Sequence, residues 1–220
     1  DLYAHLSIYE LTGDSSGVFL NDIWGWTDPQ SQKEYALVGL TNGMSFVDIS
    51  DPEHPVVVGR LPESHITGKY KILPLSAFPA CRVGIGATSR SKQITRGTSW
   101  RDVKVYDNHA FIVSDAQPHG MQVFDLTKLR NYKGEVMQLQ QDALYDKFGP
   151  AHNIVINEET GFAYATGIVQ AEVCGSRKGS GLHMIDIRDP KNPEYAGCYI
   201  DPSPKYYQIA PGYIHDAQCV

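Results

Sequence analysis

The chain lacks most of the features that announce a function. No apolar run approaches the length needed to cross a bilayer as a helix. No Asn-x-Ser/Thr sequon occurs, so glycosylation says nothing about location. No cysteines fall at zinc-finger spacing, and no recognised nucleophile motif is present. Gly84-Ile85-Gly86 is a fragment of a glycine-rich pattern without the further glycine, strand and helix that a nucleotide site needs. Positive charge is scarce: 19 Lys and Arg stand against 25 Asp and Glu, a formal charge of −6. With no basic stripe interleaved with aromatics, nucleic acid is excluded as the expected partner. The 220 residues begin without Met and without a signal peptide, which reads as a processed or partial chain.

What is present points to β-structure. Hydrophobic residues make up 42%, enough for a sizeable core, and 20 Gly and 13 Pro suit a turn-rich all-β protein. Residues 21–61 read as four short strands. Asn21–Trp26, Tyr35–Leu40, Met44–Ile49 and Val56–Leu61 are separated by Thr27-Asp28-Pro29, Thr41-Asn42-Gly43 and Asp51-Pro52-Glu53-His54-Pro55. A four-stranded meander of this length is the size of a propeller blade. The unit recurs. Tyr35–Leu40, His109–Ser114 and Phe162–Gly167 hold one place; Ser45–Ser50, Gln122–Thr127 and His183–Arg188 hold the next. First strands begin at Asn21-Asp22, Arg101-Asp102, His152-Asn153 and His215-Asp216. The expected fold is an all-β propeller of four-stranded meander blades, about three of them present as part of a larger ring. Blade one covers about 21–62, blade two about 100–140, blade three about 151–200, and a fourth blade opens at 213–220. Residues 1–11 read as an isolated leading strand. Residues 128–132 and 138–145 suggest short helical turns, with Glu135–Leu139 as an outer strand of blade two.

Intervals between equivalent first-strand positions are unequal: 80 residues from Asp22 to Asp102, 51 to Asn153, 63 to Asp216. The first surplus falls on residues 68–95, which carry Lys and Arg but no Asp or Glu in an acidic chain. This insertion reads as a native basic loop toward an acidic partner, or as a translated intron. Of the four cysteines, Cys174 precedes the third strand of blade three and Cys198 lies in its fourth. They form a candidate disulfide pinning the blade's outer edge, or remain two half-buried thiols.

The strings NDIWGW, YALVGLTNG, FVDISDP, WRDVKVY, GMQVFDL, AHNIVINEETGFAY, GLHMIDI and HDAQCV resemble the choice-of-anchor B proteins, built from LVIVD repeats. The resemblance covers most of residues 18–220. It implies an extracellular or surface-attached β-propeller carried to the envelope by interchangeable C-terminal anchors, and it implies no particular chemistry. The insertion departs from the family pattern, and family members continue through further blades, so the chain reads as an N-terminal portion. Three blades alone would leave open sheet edges for self-association.

First strands line a propeller's axis, so their leading polar residues converge. Asp22, Asp102, His152, Asn153, His215 and Asp216 are therefore candidate ligands for a divalent cation. Carboxylates suit calcium, and imidazoles shift the preference toward a transition metal. The competing reading is hydrogen bonding to neighbouring blades. His119 and His183, near turns into third strands, are further candidates, and Asp115 ends a second strand near the same rim. Asp48, Asp125 and Asp186 recur in third strands and read as turn-formers. Trp24, Trp26 and Trp100 read as packing between blades. The expected function is a secreted or cell-surface scaffold presenting loops to a protein or glycan, with an axial cation. The rivals are a metal-dependent hydrolase or lyase with an axial His/Asp site, and a structural assembly subunit. Peptide mass spectrometry of the native protein separates the two readings of the insertion: a peptide spanning Lys71–Arg82 shows that it is translated and retained.

Overall fold

A computed structural model describes residues 2–14, 17–64, 66, 100–116, 118–168, 171–173, 181–200 and 214–219. The insertion at 68–95 lies outside them. The described residues form three sheets of propeller type, all-β apart from two short helical segments. The first sheet holds β1 (Leu20–Thr27), β2 (Glu34–Leu40), β3 (Gly43–Asp48) and β4 (Val56–Pro62) as an antiparallel meander. The second holds β5 (Arg101–Tyr106), β6 (His109–Ser114), β7 (Met121–Asp125) and, on its outer edge, β9 (Ala143–Tyr145). The third holds β10 (Asn153–Asn157), β11 (Phe162–Thr166), β12 (Leu182–Asp186) and β13 (Glu194–Tyr199).

Local chemistry sets the turns. Asp107 and Asn108 both have positive φ, 43° and 57°, which gives a two-residue hairpin whose twist matches β5 and β6. Gly43 has φ +148°, and a Cβ there would lie 2.2 Å from the Leu61 carbonyl oxygen across the sheet. Third-strand aspartates close the following turns. Asp48 Oδ1 accepts from the Ser50 N–H (3.1 Å), Asp125 Oδ1 from the Thr127 N–H (3.1 Å) and Asp186 Oδ1 from the Arg188 N–H (3.1 Å).

Strand alternation gives each blade two apolar faces, and adjacent blades share a core. Leu37, Phe46 and Val58 of the first blade meet Val103, Ile112 and Phe124 of the second, with Phe46 and Phe124 ring centroids 5.0 Å apart. Phe111, Val113 and Val123 on the second blade's opposite face meet Ile154, Ala163 and Ile185 of the third. Each such side chain contributes roughly 1.5–3 kcal/mol by leaving water.

Four sequence expectations change. Residues 1–11 hold no strand; Ile8–Thr12 is a short helix, α1. Ser7 and Glu10 form a capping box and Gly13 ends the helix in the left-handed region, so local capping prevails over the alternation of Leu6 and Ile8. Leu11 packs on Ala36, Val47 and Val57, the first blade's other face. The strand expected at Glu135–Leu139 is only β8 (Met137–Gln138), and it pairs in parallel with β4, outside the first blade. Gly59 permits this approach, because a Cβ there would lie 2.6 Å from Leu139 Cδ1. The second blade's outer strand is instead β9, where a helical turn was expected; the helical turn lies earlier, as a 3₁₀ segment at Leu126–Asn131. Residues 214–219 form no strand, and bond through the Ile214 carbonyl oxygen to the Gly167 N–H (2.6 Å). Cys198 is disulfide-bonded and Cys219 is free; the expected partner Cys174 lies outside the described residues.

One ion pair ties the first two blades at their periphery. Asp28, fully buried, accepts from Arg130 Nε at 2.9 Å and Nη2 at 2.5 Å. The guanidinium holds the Asp28 carboxyl far below the usual carboxylate range. Removing one partner of such a pair leaves a buried charge. Arg130→Ala is expected to destabilise by about 3 kcal/mol in urea unfolding. Lys33→Ala, which breaks the half-exposed pair with Asp48, is expected to cost about 1 kcal/mol or less. Equal costs for the two would remove the distinction.

Candidate functional site

The inner strands β1, β5 and β10 lie side by side, and each carries polar residues at or near its start: Asn21 and Asp22, Arg101 and Asp102, and Asn153. An inner strand has one edge without a ladder partner, so some of its N–H groups need another acceptor. Aspartates of the preceding blade supply it. Asp22 Oδ2 accepts from the Val103 N–H at 3.2 Å, and Asp102 Oδ2 accepts from the Ile154 N–H at 2.7 Å. Asn21 Oδ1 likewise accepts from the Arg101 N–H at 2.8 Å. The candidate cation ligands Asp22 and Asp102 therefore join blades.

A positive charge also stands beside them. Lys104 Nζ lies 2.5 Å from Asp102 Oδ1 and 4.0 Å from Asp22 Oδ2, and 4.4 Å above the Trp24 ring. Burial raises the Asp102 pKa to about 6, the adjacent Asp22 carboxyl adds to the rise, and Lys104 and the Ile154 N–H oppose it. The Lys104 signal was present in the sequence, because a residue two positions along a strand shares its face with Asp102.

At the third junction the chemistry changes. The equivalent residue is Asn153, whose Nδ2 donates to the His215 carbonyl oxygen at 3.1 Å. Thr166 Oγ1 donates to the same oxygen at 2.9 Å. The His215 ring lies 4.4 Å from the His152 ring, centroid to centroid, and the Trp100 ring 5.8 Å from it. His152 Nδ1 bonds Asp115 Oδ2 at 3.0 Å. Burial raises the Asp115 pKa, and His152 opposes the rise. Asp216 is exposed, and its Oδ1 accepts from the Ala217 N–H at 2.8 Å.

The other two histidines are held in the interior. His119 is fully buried between Arg101 and the backbone. Arg101 Nη1 donates to His119 Nε2 (2.8 Å), so His119 Nδ1–H donates to the Gly120 carbonyl oxygen (2.9 Å). Arg101 is itself buried; it donates from Nε to the Leu40 carbonyl oxygen (2.8 Å) and lies 3.5 Å from Glu63, and burial lowers its pKa to about 10. His183 is fully buried against Phe148 and Tyr145, with Nε2 2.7 Å from the Tyr145 hydroxyl. Burial lowers its pKa to about 4. Among the described residues, no three His, Cys, Asp or Glu side chains come together as a metal-holding group. The expected six-residue ring is thus divided into a carboxylate–lysine cluster at the first two junctions and a histidine pair at the third. Of the tryptophans, Trp26 packs between blades as expected, stacked on Tyr35 with its Nε1 donating to Asn108 Oδ1 at 3.3 Å. Trp24 and Trp100 are half-exposed on the inner side.

Residues 32–62, the second to fourth strands of the first blade, match the LVIVD repeat. LVIVD repeats are of β-propeller type, in agreement with the sheets described above. No curated protein matches the chain.

Asp102 and His183 act in opposite directions on stability. Asp102 binds its proton more tightly in the fold, so its contribution is complete below about pH 4 and is lost as pH rises through about 6. His183 binds its proton less tightly in the fold, so its contribution is present above about pH 6.5 and is lost as pH falls through about 4. Between pH 4 and 7 the stability of Asp102→Asn relative to the parent should rise by about 2 kcal/mol, read from urea unfolding at each pH. A pH-independent difference would show that Asp102 does not titrate in this window.

Proposed function

We propose that this chain is part of a β-propeller binding scaffold of the choice-of-anchor B kind, working outside the cell or at its surface. Its blades present loops and the inner rim to a protein or glycan partner. The observation that carries this reading is how the repeated acidic residues are used. Asp22 and Asp102 bond the next blade, and Asp48, Asp125 and Asp186 close turns, so the repeat's polar signature serves a rigid framework. The LVIVD match at residues 32–62 supports the repeat architecture. The disulfide at Cys198 supports an oxidising location, since such bonds persist mainly outside the cytosol. No helix among the described residues is long and apolar enough to cross a membrane.

Two measurements test the reading together. Surface biotinylation of intact source cells should label the protein. Purified labelled protein should also bind those cells saturably and be displaced by unlabelled protein. Recovery in the cytosolic fraction alone would refute the location. Metal-dependent turnover of an ester or amide substrate, abolished in His152→Ala, would favour the hydrolase instead.

A further inference from the structure

We propose that His152 and His215 form a binding site for a borderline divalent transition metal such as Zn²⁺, with Asp115 as its outer-sphere partner. The inference rests on the geometry of the third junction and not on the scaffold reading. Asp115 Oδ2 accepts from His152 Nδ1 at 3.0 Å. This fixes the tautomer in which Nε2 carries the lone pair, the arrangement in which a carboxylate orients a metal-binding imidazole. The His215 ring stands 4.4 Å from the His152 ring, centroid to centroid, with a 59° angle between planes, which puts two imidazoles within reach of one ion.

The backbone that carries the two rings is fixed by its neighbours. Asn153 Nδ2 and Thr166 Oγ1 both donate to the His215 carbonyl oxygen, at 3.1 and 2.9 Å. Gly167, at φ +66°, leaves room for His152: a Cβ there would lie 2.2 Å from His152 Cβ. Such support is what keeps a site in its productive geometry. Two imidazoles select zinc, copper or nickel over calcium, which takes oxygen ligands. Water fills the remaining coordination positions. The carboxylates at the first two junctions take no part, because Lys104 and the inter-blade N–H groups already engage them.

The test is calorimetric titration of Zn²⁺ into the tag-free full chain. One saturable site per chain is expected, with no comparable heat from Ca²⁺. His152→Ala and His215→Ala should each weaken binding at least about tenfold, and Asp115→Ala about 10–100-fold. Cys219→Ser, which removes the free thiol four residues after His215, should leave the affinity unchanged. His215 is exposed, so its variant keeps the test valid if His152→Ala fails to fold. No saturable Zn²⁺ uptake, affinity unchanged in His215→Ala, or binding lost in Cys219→Ser would each overturn the proposal.

Discussion

The structure depends on a hydrogen bond from the backbone of one inner strand to the carboxylate at the start of the preceding one. A blade satisfies its backbone through its own ladders except along its inner and outer edges. At the inner edge, Val103 and Ile154 offer N–H groups that would otherwise lie buried without a partner, and Asp22 and Asp102 accept them. At the first blade's outer edge β8 adds a short parallel strand to β4, which covers part of a surface that would invite pairing with another chain. Blade stacking is thus directional in its polar contacts as well as its apolar ones.

Direction has an electrostatic consequence. Two carboxylates on successive inner strands are close neighbours, and the fold answers with Lys104 on the same face as Asp102. The Trp24 ring offers its face to the ammonium. A metal ion in that place would have to displace an attached cation and break bonds that join blades. The periphery uses the other arrangement: Asp28 and Arg130 are far apart in sequence and meet in a bidentate pair between the first blade's β1–β2 turn and the 3₁₀ segment of the second.

The repeat was legible because strand alternation and turn chemistry are both local. The first blade's strands and the turn role of Asp48, Asp125 and Asp186 followed from residue type and spacing alone. What stayed hidden depended on distant partners. β8 pairs by its backbone with a strand of another blade, and nothing in Met137 or Gln138 announces that. Helix α1 was legible but outweighed: Ser7 and Glu10 carry a capping signal, yet the alternation of Leu6 and Ile8 suggested a strand. The division of the expected cation ring was hidden because convergence on an axis was counted while the demand of unpaired N–H groups for the same carboxylates was not. His183 was misplaced toward the rim because proximity to a turn does not reveal which face of a strand a side chain occupies. Its neighbours Phe148 and Tyr145 come from beyond its own blade.

The third junction shows how one residue type redirects the chemistry. As carboxylates, Asp22 and Asp102 only accept, so they draw in an N–H and set the next strand against the blade. Asn153 at the equivalent place donates from Nδ2, and the group it holds is the His215 carbonyl oxygen. The polarity of the junction is reversed, and residues 214–219 lie there without strand pairing. That placement brings the His215 ring to the His152 ring. His152 itself is turned by Asp115, the residue just after β6, and admitted by the absence of a side chain at Gly167. An aspartate at position 153 would lack the donor that holds the His215 carbonyl, so the amide there links the architecture of the blades to the imidazole pair formed with His152.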